Sequence, residues 1–298
     1  FNDIQISGAL NVSQNSFTEW KKLNVKERLN FIKTLGFVLT RRQHLLSEKC
    51  TLEMGKPIKQ SIAEVQKCAL LCEYYLQNAE TFLSSDSIKT DASESFVTYE
   101  PLGVILGVMP WNFPYWQVFR FAVPAIIAGN TVVVKHASNV AGCAQLIEDI
   151  FLEAGFPEGI YQNLMVDSSQ VERIINNPVI KAVSLTGSEK AGAAVASAAA
   201  ITIKKAVLEL GGSNALIICH DADIEKALPV AVNARMQNTG QSCIAAKRFL
   251  VHRSLFDEFT ARFKQKVETL KVGDPMLEET EVGPLARIDL AEDVEKQV

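Results

Sequence analysis

The most constraining feature of the chain is a series of short apolar runs that alternate with helical stretches. The runs cover residues 103–109, 131–134, 182–185, 206–210 and 215–219. Between them, residues 141–154 and 189–199 carry apolar side chains at the spacing of a helix face. Strands that alternate with helices in this way form a parallel sheet covered on both faces. The sequence therefore predicts an α/β fold with a Rossmann-like parallel sheet.

The segments that flank this alternation have different patterns. In residues 17–82 apolar side chains recur at helical spacing, as at Leu29 and Ile32, which predicts a helical opening. Residues 84–100 are polar and then alternate, which predicts an exposed hairpin rather than a core strand. Residues 222–270 are predicted to be rich in helix.

Size and charge exclude several classes of protein. A chain of 298 residues with 48% hydrophobic side chains can bury one large core or two moderate ones, which predicts a two-domain globular protein. The net charge of −4, without a basic stripe, argues against a nucleic-acid partner. No apolar run reaches the length of about 20 residues that spans a bilayer.

The cysteines and histidines show no framework for metal or disulfides. The six cysteines have no C-x-x-C spacing and the four histidines no H-x-x-x-H spacing, so we expect no metal and a reducing compartment. Cytoplasm is the default location. The sequence leaves open whether a targeting segment has been removed, because the first residue is Phe1 rather than Met.

Cys243 is the leading candidate nucleophile. It follows the turn-forming run Gly240-Gln241-Ser242 and precedes an apolar run, so the backbone holds it at a junction that a substrate can approach. A lone cysteine is more often a small buried hydrophobe, and no histidine lies near it in sequence. The other five cysteines stand in apolar helical or strand-like surroundings, and the contrast favours the role of nucleophile.

Glu209 is the candidate general base. It interrupts an apolar, strand-like run and precedes Gly211-Gly212, which leaves open space beside it. Burial of an unpaired carboxylate costs on the order of several kcal/mol. A buried Glu209 therefore needs a function or a partner. The structural alternative is a salt bridge to Lys204 or Lys205.

Asn112 is the candidate oxyanion donor. It lies in Pro110-Trp111-Asn112-Phe113-Pro114, where the two prolines stiffen the turn that carries it. A side-chain amide held in this way can stabilise the negative charge that develops on a reacting carbonyl oxygen. The structural alternative is an ordinary Asx turn.

Two further segments are typical of a phosphate or cofactor site. Thr186-Gly187-Ser188 follows a predicted strand and opens a helix, whose free N–H groups can receive phosphate. Ser188 is also a plain N-cap, and the chain has no G-x-G-x-x-G. Lys135 ends the run at 131–134, where it either contacts a cofactor or solvates the strand end.

Together these motifs resemble the aldehyde dehydrogenase superfamily, in order and spacing, over essentially the whole chain. Within it they are most similar to bacterial NAD(P)-dependent succinate-semialdehyde dehydrogenases. The resemblance implies a cofactor-binding domain over residues 1–83 and 101–211, and an oligomerisation hairpin over residues 84–100. It also implies the N-terminal part of a catalytic domain over residues 212–298 and a homodimer or homotetramer.

The resemblance also implies a role for each motif. The Cys243 thiolate attacks an aldehyde, Asn112 holds the oxyanion and Glu209 activates the water that releases a carboxylic acid. NAD or NADP accepts the hydride. The positions that contact the cofactor are Trp111 and Ser188 at the pyrophosphate, Thr186 and Gly187 at the nicotinamide, and Lys135 at the adenosine ribose.

Substrate and cofactor selectivity depend on three positions. Ser138 replaces a glutamate that would repel a 2′-phosphate, so we expect NADP to be accepted. Arg120 matches an arginine that binds the distal carboxylate of a semialdehyde, with a surface arginine as the alternative. Gln237 occupies the position of a second arginine found in some of these enzymes.

Other outcomes remain open at this stage. The family's usual length implies further chain beyond Val298, and on that basis we expect the segment by itself to be inactive. A CoA-acylating dehydrogenase would use the same thiol, although Glu209 as water activator argues against it. A non-catalytic cofactor-binding relative would tolerate loss of Cys243.

Overall fold

The computed structural model describes all residues from Phe1 to Val298 and divides the chain into two units. Unit 1 comprises Phe1–Leu46 and Ile62–Glu209, and unit 2 comprises Ser47–Ser61 and Leu210–Val298. None of the helices combines the length and the apolar character that a membrane span requires.

The strands are β1 (Asp86–Ser87), β2 (Phe96–Val97), β3 (Val104–Val108), β4 (Thr131–Lys135), β5 (Tyr161–Asn163), β6 (Ile180–Thr186), β7 (Lys205–Glu209), β8 (Asn214–Ile218) and β9 (Ala246–Val251). The α-helices are α1 (Asp3–Trp20), α2 (Val25–Arg41), α3 (Gln43–Met54), α4 (Ile58–Phe82), α5 (Trp116–Ile127), α6 (Ala141–Glu153), α7 (Val171–Asn176), α8 (Glu189–Ile201), α9 (Ile224–Met236), α10 (Phe256–Glu268) and α11 (Ile288–Gln297).

Unit 1 is built on a five-stranded parallel sheet in the order β5-β4-β3-β6-β7. Adjacent residues of a strand point to opposite faces, and four consecutive residues of β3 and of β4 are buried, so both faces are covered. The strand order reverses between β3 and β6, which is the arrangement of a Rossmann-like sheet. The predicted α/β fold class is confirmed.

The central strands and helices follow the sequence pattern closely. Each of the five predicted apolar runs is a strand, and the predicted helices at 141–154 and 189–199 are α6 and α8. The prediction missed β5, because three residues are too few to show a period. The helix-rich prediction for 222–270 was wrong at Ala246–Val251, where β9 pairs in parallel with β8.

The hairpin region of unit 1 contains the antiparallel pair β1 and β2. Both strands are two residues long and exposed. Its role in oligomerisation stays a prediction.

Unit 2 packs α9 and α10 against the β8–β9 pair. Its core includes a cluster of buried side chains: Ile218, Ile224, Leu228, Ala231 and Phe259.

Candidate active site

The carboxyl ends of four parallel strands bring most of the predicted site residues to one edge of the unit 1 sheet. In the strand register, Val108 of β3 lies opposite Lys135 of β4, and Thr186 of β6 lies opposite Glu209 of β7. Ligands of open α/β sheets bind at this edge, at the point where the strand order reverses. The point is flanked by β3, which leads to Asn112, and by β6, which ends at Thr186.

A buried carboxylate fixes the loop that carries Asn112. Glu64 of α4 is 4% exposed, and its Oε1 accepts hydrogen bonds from the backbone N–H groups of Tyr115 and Trp116, both at 2.9 Å. These N–H groups lie at the start of α5, where Tyr115 supplies no side-chain cap. A carboxylate at this position also interacts favourably with the helix dipole. The loop therefore has a rigid anchor directly after Pro114.

His136 anchors the same loop from the neighbouring strand end. The backbone N–H of Ala137 donates to its Nδ1 at 2.8 Å, so Nε2 carries the proton and donates to the carbonyl oxygen of Pro114 at 2.8 Å. Burial lowers the pKa of His136 to about 4, against the opposing effect of the Pro114 hydrogen bond and with a small further lowering by Lys135. The neutral imidazole thus connects the end of β4 to the loop of Asn112.

Ser138 lines a cleft at the ends of β4 and β5, and Lys135 precedes His136, which also lines it. The cleft has a volume of about 340 Å³, and its lining includes Ser138, Ala141 and Asp167. Burial lowers the pKa of Lys135, and the nearby charge of Asp167 opposes that shift. A hydroxyl and an ammonium at this edge provide donors for ribose and phosphate oxygens.

The turn after β6 has the predicted geometry. Ser188 is the N-cap of α8, and its Oγ accepts a hydrogen bond from the backbone N–H of Ala191 at 3.2 Å. The N–H of Gly187 donates to the carbonyl oxygen of Glu209 at 3.0 Å. The N-terminus of α8, the ammonium of Lys135 and the Ser138 cleft together fit a dinucleotide, with helix N–H groups available to a pyrophosphate.

Glu209 differs from its predicted environment. β7 is the edge strand and its residues are mostly exposed, so the prediction of a buried carboxylate was wrong. The expected alternative partners were also wrong, because the salt bridge is to Arg120 of α5, with Nη2 to Oε1 at 3.0 Å. The side chains of Arg120 and Glu209 are 33% and 54% exposed. Exposed pairs of this kind contribute about 0–1 kcal/mol to stability.

The loop before Cys243 in unit 2 has an unusual backbone. Asn238, Thr239 and Gly240 have φ values of 59°, 55° and 71°, three consecutive residues in the left-handed region. Only glycine adopts that region without a steric cost. Arg235 compensates by donating hydrogen bonds to the carbonyl oxygens of Gly240 and Ala246, both at 3.3 Å.

A lysine stabilises the segment that contains Cys243. The Lys247 ammonium donates to three backbone carbonyl oxygens: Gly212 at 2.5 Å, Cys243 at 3.1 Å and Ser242 at 3.3 Å. Charge-assisted hydrogen bonds of this type are stronger than neutral ones. Cys243 itself is partly exposed, whereas Cys50, Cys68, Cys72 and Cys143 are buried. The expected contrast was wrong for Cys219, which is exposed because it lies just beyond the end of β8. The Cys243 thiol is therefore held on an anchored loop and remains accessible.

The comparisons with known proteins agree with this geometry. The sequence pattern of the aldehyde dehydrogenase family matches residues 2–298. The chain belongs to the aldehyde dehydrogenase family. A probable succinate-semialdehyde dehydrogenase [NADP(+)] of Synechocystis is 50% identical over 295 residues, which cover 99% of this chain and 65% of that protein. A succinate semialdehyde dehydrogenase [NAD(P)+] of Escherichia coli is 44% identical, over 98% of this chain and 63% of that protein.

Comparison with solved structures leads to the same family. Succinic semialdehyde dehydrogenase from Streptococcus pyogenes, in complex with NADP+, has a TM-score of 0.97 and 36% identity, over 99% of this chain and 65% of that one. This aldehyde dehydrogenase chain thus spans about two thirds of the length of the relatives it matches, 65% of the Synechocystis protein.

Unit 1 of this chain contains most of the predicted site residues, whereas Cys243 belongs to unit 2. The predicted site residues in unit 1 are Trp111, Asn112, Arg120, Lys135, Ser138, Thr186, Gly187, Ser188 and Glu209.

Three supporting residues were missed from the sequence. Glu64 lies within a long helix and gives no local signal. His136 lies between Lys135 and Ser138, and its place directly after a strand could have indicated a contact. Lys247, four residues after Cys243, could have been noticed as a cation beside the candidate nucleophile.

Proposed function

We propose that the full protein oxidises succinate semialdehyde to the carboxylic acid with NADP+ or NAD+ as hydride acceptor. The observation that carries the proposal is an accessible cysteine on an anchored loop in a member of the aldehyde dehydrogenase family. The relatives' names, which specify succinate semialdehyde and NADP(+) or NAD(P)+, support the substrate and the cofactor.

The first step forms a covalent bond to Cys243. Its thiolate attacks the aldehyde carbon, a carbon–sulfur bond forms, and the carbonyl π electrons move to the oxygen. The side-chain amide of Asn112 and the backbone N–H of Cys243 donate hydrogen bonds to that oxyanion. Glu64 and His136 hold the loop of Asn112, so the donor requires little reorganisation during the reaction.

The cofactor residues lie at the sheet edge described above. Trp111 and Ser188 would contact the pyrophosphate, Thr186 and Gly187 would lie along the nicotinamide, and Lys135 would bind the adenosine ribose. Bound NAD(P)+ supplies the acceptor for the hydride that leaves the former aldehyde carbon.

The last step releases the product. The Glu209 carboxylate takes a proton from water while the water oxygen attacks the thioester carbon. The carbon–sulfur bond then breaks, the electron pair returns to the Cys243 sulfur, and a carboxylic acid leaves.

Ser138 supports acceptance of NADP. The hydroxyl lines the cleft in which the adenosine ribose would lie, and it presents no negative charge to a 2′-phosphate. The carboxylate of Asp167 lines the same cleft, with Lys135 as its nearby cation.

Assembly and location form a second part of the proposal. A homodimer or homotetramer through the 84–100 hairpin is supported by the exposed apolar side chains of Phe96 and Val97. Six free cysteines support a reducing compartment, and we propose the cytoplasm.

The test is a spectrophotometric screen of NAD and NADP reduction by the purified full-length protein. The substrates are succinate semialdehyde, short aliphatic aldehydes and betaine aldehyde, and the product is identified with and without CoA. We expect NADPH and free succinate without CoA. No reduction with any of these aldehydes would contradict the proposal, and a strict requirement for CoA would replace it with the acylating alternative.

A further inference from the structure

The pairing of Arg120 with Glu209 joins two residues that have separate tasks. The proposed function makes Glu209 the base of the water step, and the family resemblance assigns Arg120 to the distal carboxylate of the substrate. With Nη2 and Oε1 3.0 Å apart, the guanidinium is occupied by the carboxylate of the protein's own base. A carboxylate in a salt bridge is held in one position and is less free to turn towards a water molecule.

The pair is suited to exchange. Both side chains are partly exposed, so the bridge contributes little to stability. A guanidinium presents a planar fork of N–H donors that binds any carboxylate, whether from the protein or from a ligand. Replacement of Glu209 by a substrate carboxylate leaves the charge on Arg120 balanced, so the exchange leaves no unpaired cation.

Lys135, another cation on this edge, is less suited to the task. Lys135 ends β4, its amine is half-buried, and the charge acting on it is that of Asp167. Lys135 therefore belongs with the Ser138 cleft, whereas Arg120 lies one turn into the helix that follows the loop of Asn112.

We propose that the substrate's carboxylate displaces Glu209 from Arg120 and so releases the base for the water step. The inference rests on the proposed function and adds a source of selectivity to it. An uncharged aldehyde can form the thioester with Cys243, but it leaves Glu209 paired and its thioester is hydrolysed slowly. Discrimination between substrates then arises in thioester hydrolysis as well as in binding.

The test compares two four-carbon aldehydes, succinate semialdehyde and butanal, with the purified full-length protein. Rapid mixing separates the initial burst of NADPH from the slower steady phase, which reports thioester hydrolysis when that step is slowest. We expect a large burst and a slow steady phase with butanal.

The decisive variant is Arg120→Met, which removes the charge and keeps an unbranched side chain. Hydrolysis of the butyryl thioester should become about two- to fivefold faster, because an exposed pair is worth no more than that factor. The kcat/KM for succinate semialdehyde should fall by about tenfold or more. Arg262→Met is the matched control, because Arg262 is also 33% exposed and pairs with Glu258 at 3.2 Å on α10. Arg262→Met should change neither the rate of thioester hydrolysis nor the kcat/KM for succinate semialdehyde.

A second measurement avoids both the variant and the dinucleotide. 4-Nitrophenyl acetate acylates Cys243 and releases nitrophenolate, so the steady rate that follows the burst reports hydrolysis of the acetyl thioester. Propanoate, which supplies a free carboxylate, should accelerate that rate about two- to fivefold in the wild-type protein. Propanamide, its uncharged counterpart, should have no effect.

The outcomes separate the two proposals. Slower or unchanged hydrolysis of the butyryl thioester in Arg120→Met, or equal rates with propanoate and propanamide, would overturn the release of Glu209 while leaving aldehyde oxidation intact. If the wild-type protein reduces NADP with none of the aldehydes, the proposed function itself fails.

Discussion

The carboxyl edge of the unit 1 sheet and the Cys243 loop of unit 2 both hold proposed catalytic groups, but different kinds of interaction hold them. At the sheet edge, parallel strands fix the positions, and the buried side chains of Glu64 and His136 fix the loop between them. In unit 2, a left-handed backbone fixes the turn, and the cations of Arg235 and Lys247 hold its carbonyl oxygens.

The difference shows that one set of positions depends on buried neutral or paired groups. The other set depends on a strained backbone that is offset by hydrogen bonds from two cations. A change of pH should therefore affect the sheet edge through His136. Replacement of Gly240 by a larger residue should affect the cysteine loop.

The largest expected effect is acid destabilisation through His136. Its pKa is about 4 in the folded protein and 6.5 when unperturbed, so between these values the unfolded chain binds a proton that the folded protein does not. The contribution of His136 to the free energy of unfolding is therefore fully present above about pH 6.5. It is lost as the pH falls towards 4, which lowers the free energy of unfolding by about 3 kcal/mol. Urea unfolding at a series of pH values measures this decrease. His136→Gln should remove most of it, whereas the exposed His220→Gln should not, and equal slopes in both variants would contradict the assignment.

The next largest effect concerns the left-handed turn. Gly240 has a φ of 71°, and an added Cβ would lie 2.4 Å from Nη2 of Arg235, which must then release its carbonyl partners. We expect Gly240→Ala to reduce the free energy of unfolding by about 2–3 kcal/mol. Gly155→Ala is the matched control, because its φ is 85° with nothing within 4 Å of the new atom. It should reduce the free energy of unfolding by only about 1 kcal/mol. An equal reduction in the two variants would show that the hydrogen bonds of Arg235 do not stabilise the turn.

A smaller effect is expected in the cofactor cleft. Ser138→Glu adds a second carboxylate to a cleft that already contains Asp167. We expect the KM for NADP to rise about tenfold, since like charges repel across a partly exposed cleft, and the KM for NAD to change little. Steady-state kinetics with both cofactors decide the matter. A parallel rise in both KM values would indicate damage to the cleft rather than charge repulsion.

The smallest expected effect is at Lys247. Lys247→Met removes the donor shared by the carbonyls of Gly212, Ser242 and Cys243, so the thiol should be less well positioned. We expect kcat to fall about three- to tenfold with little change in KM. Lys247→Arg should recover part of the loss. Lys226→Met, which removes an exposed lysine paired with Asp223, is the control, and an equal loss of kcat in that variant would contradict a positioning role.

The fold could be predicted largely from the sequence, because buried parallel strands appear as apolar runs. Residues at strand ends, such as Lys135 and Thr186, could be placed together on that basis alone. The surroundings of Glu209 could not, since the sequence does not reveal that β7 is an edge strand or that Arg120 of α5 reaches it. The anchor Glu64 also escaped prediction, because its partners are backbone groups distant in sequence.

The central claim is that Cys243 performs covalent aldehyde chemistry, and one measurement tests it most directly. NADPH formation from succinate semialdehyde is followed for the full-length protein and for Cys243→Ala, with Cys219→Ala as a control at another cysteine that is not buried. We predict that Cys243→Ala loses activity by about a thousandfold or more, because the covalent route is removed, while Cys219→Ala remains active. Turnover by Cys243→Ala within about tenfold of the wild-type rate would contradict the account.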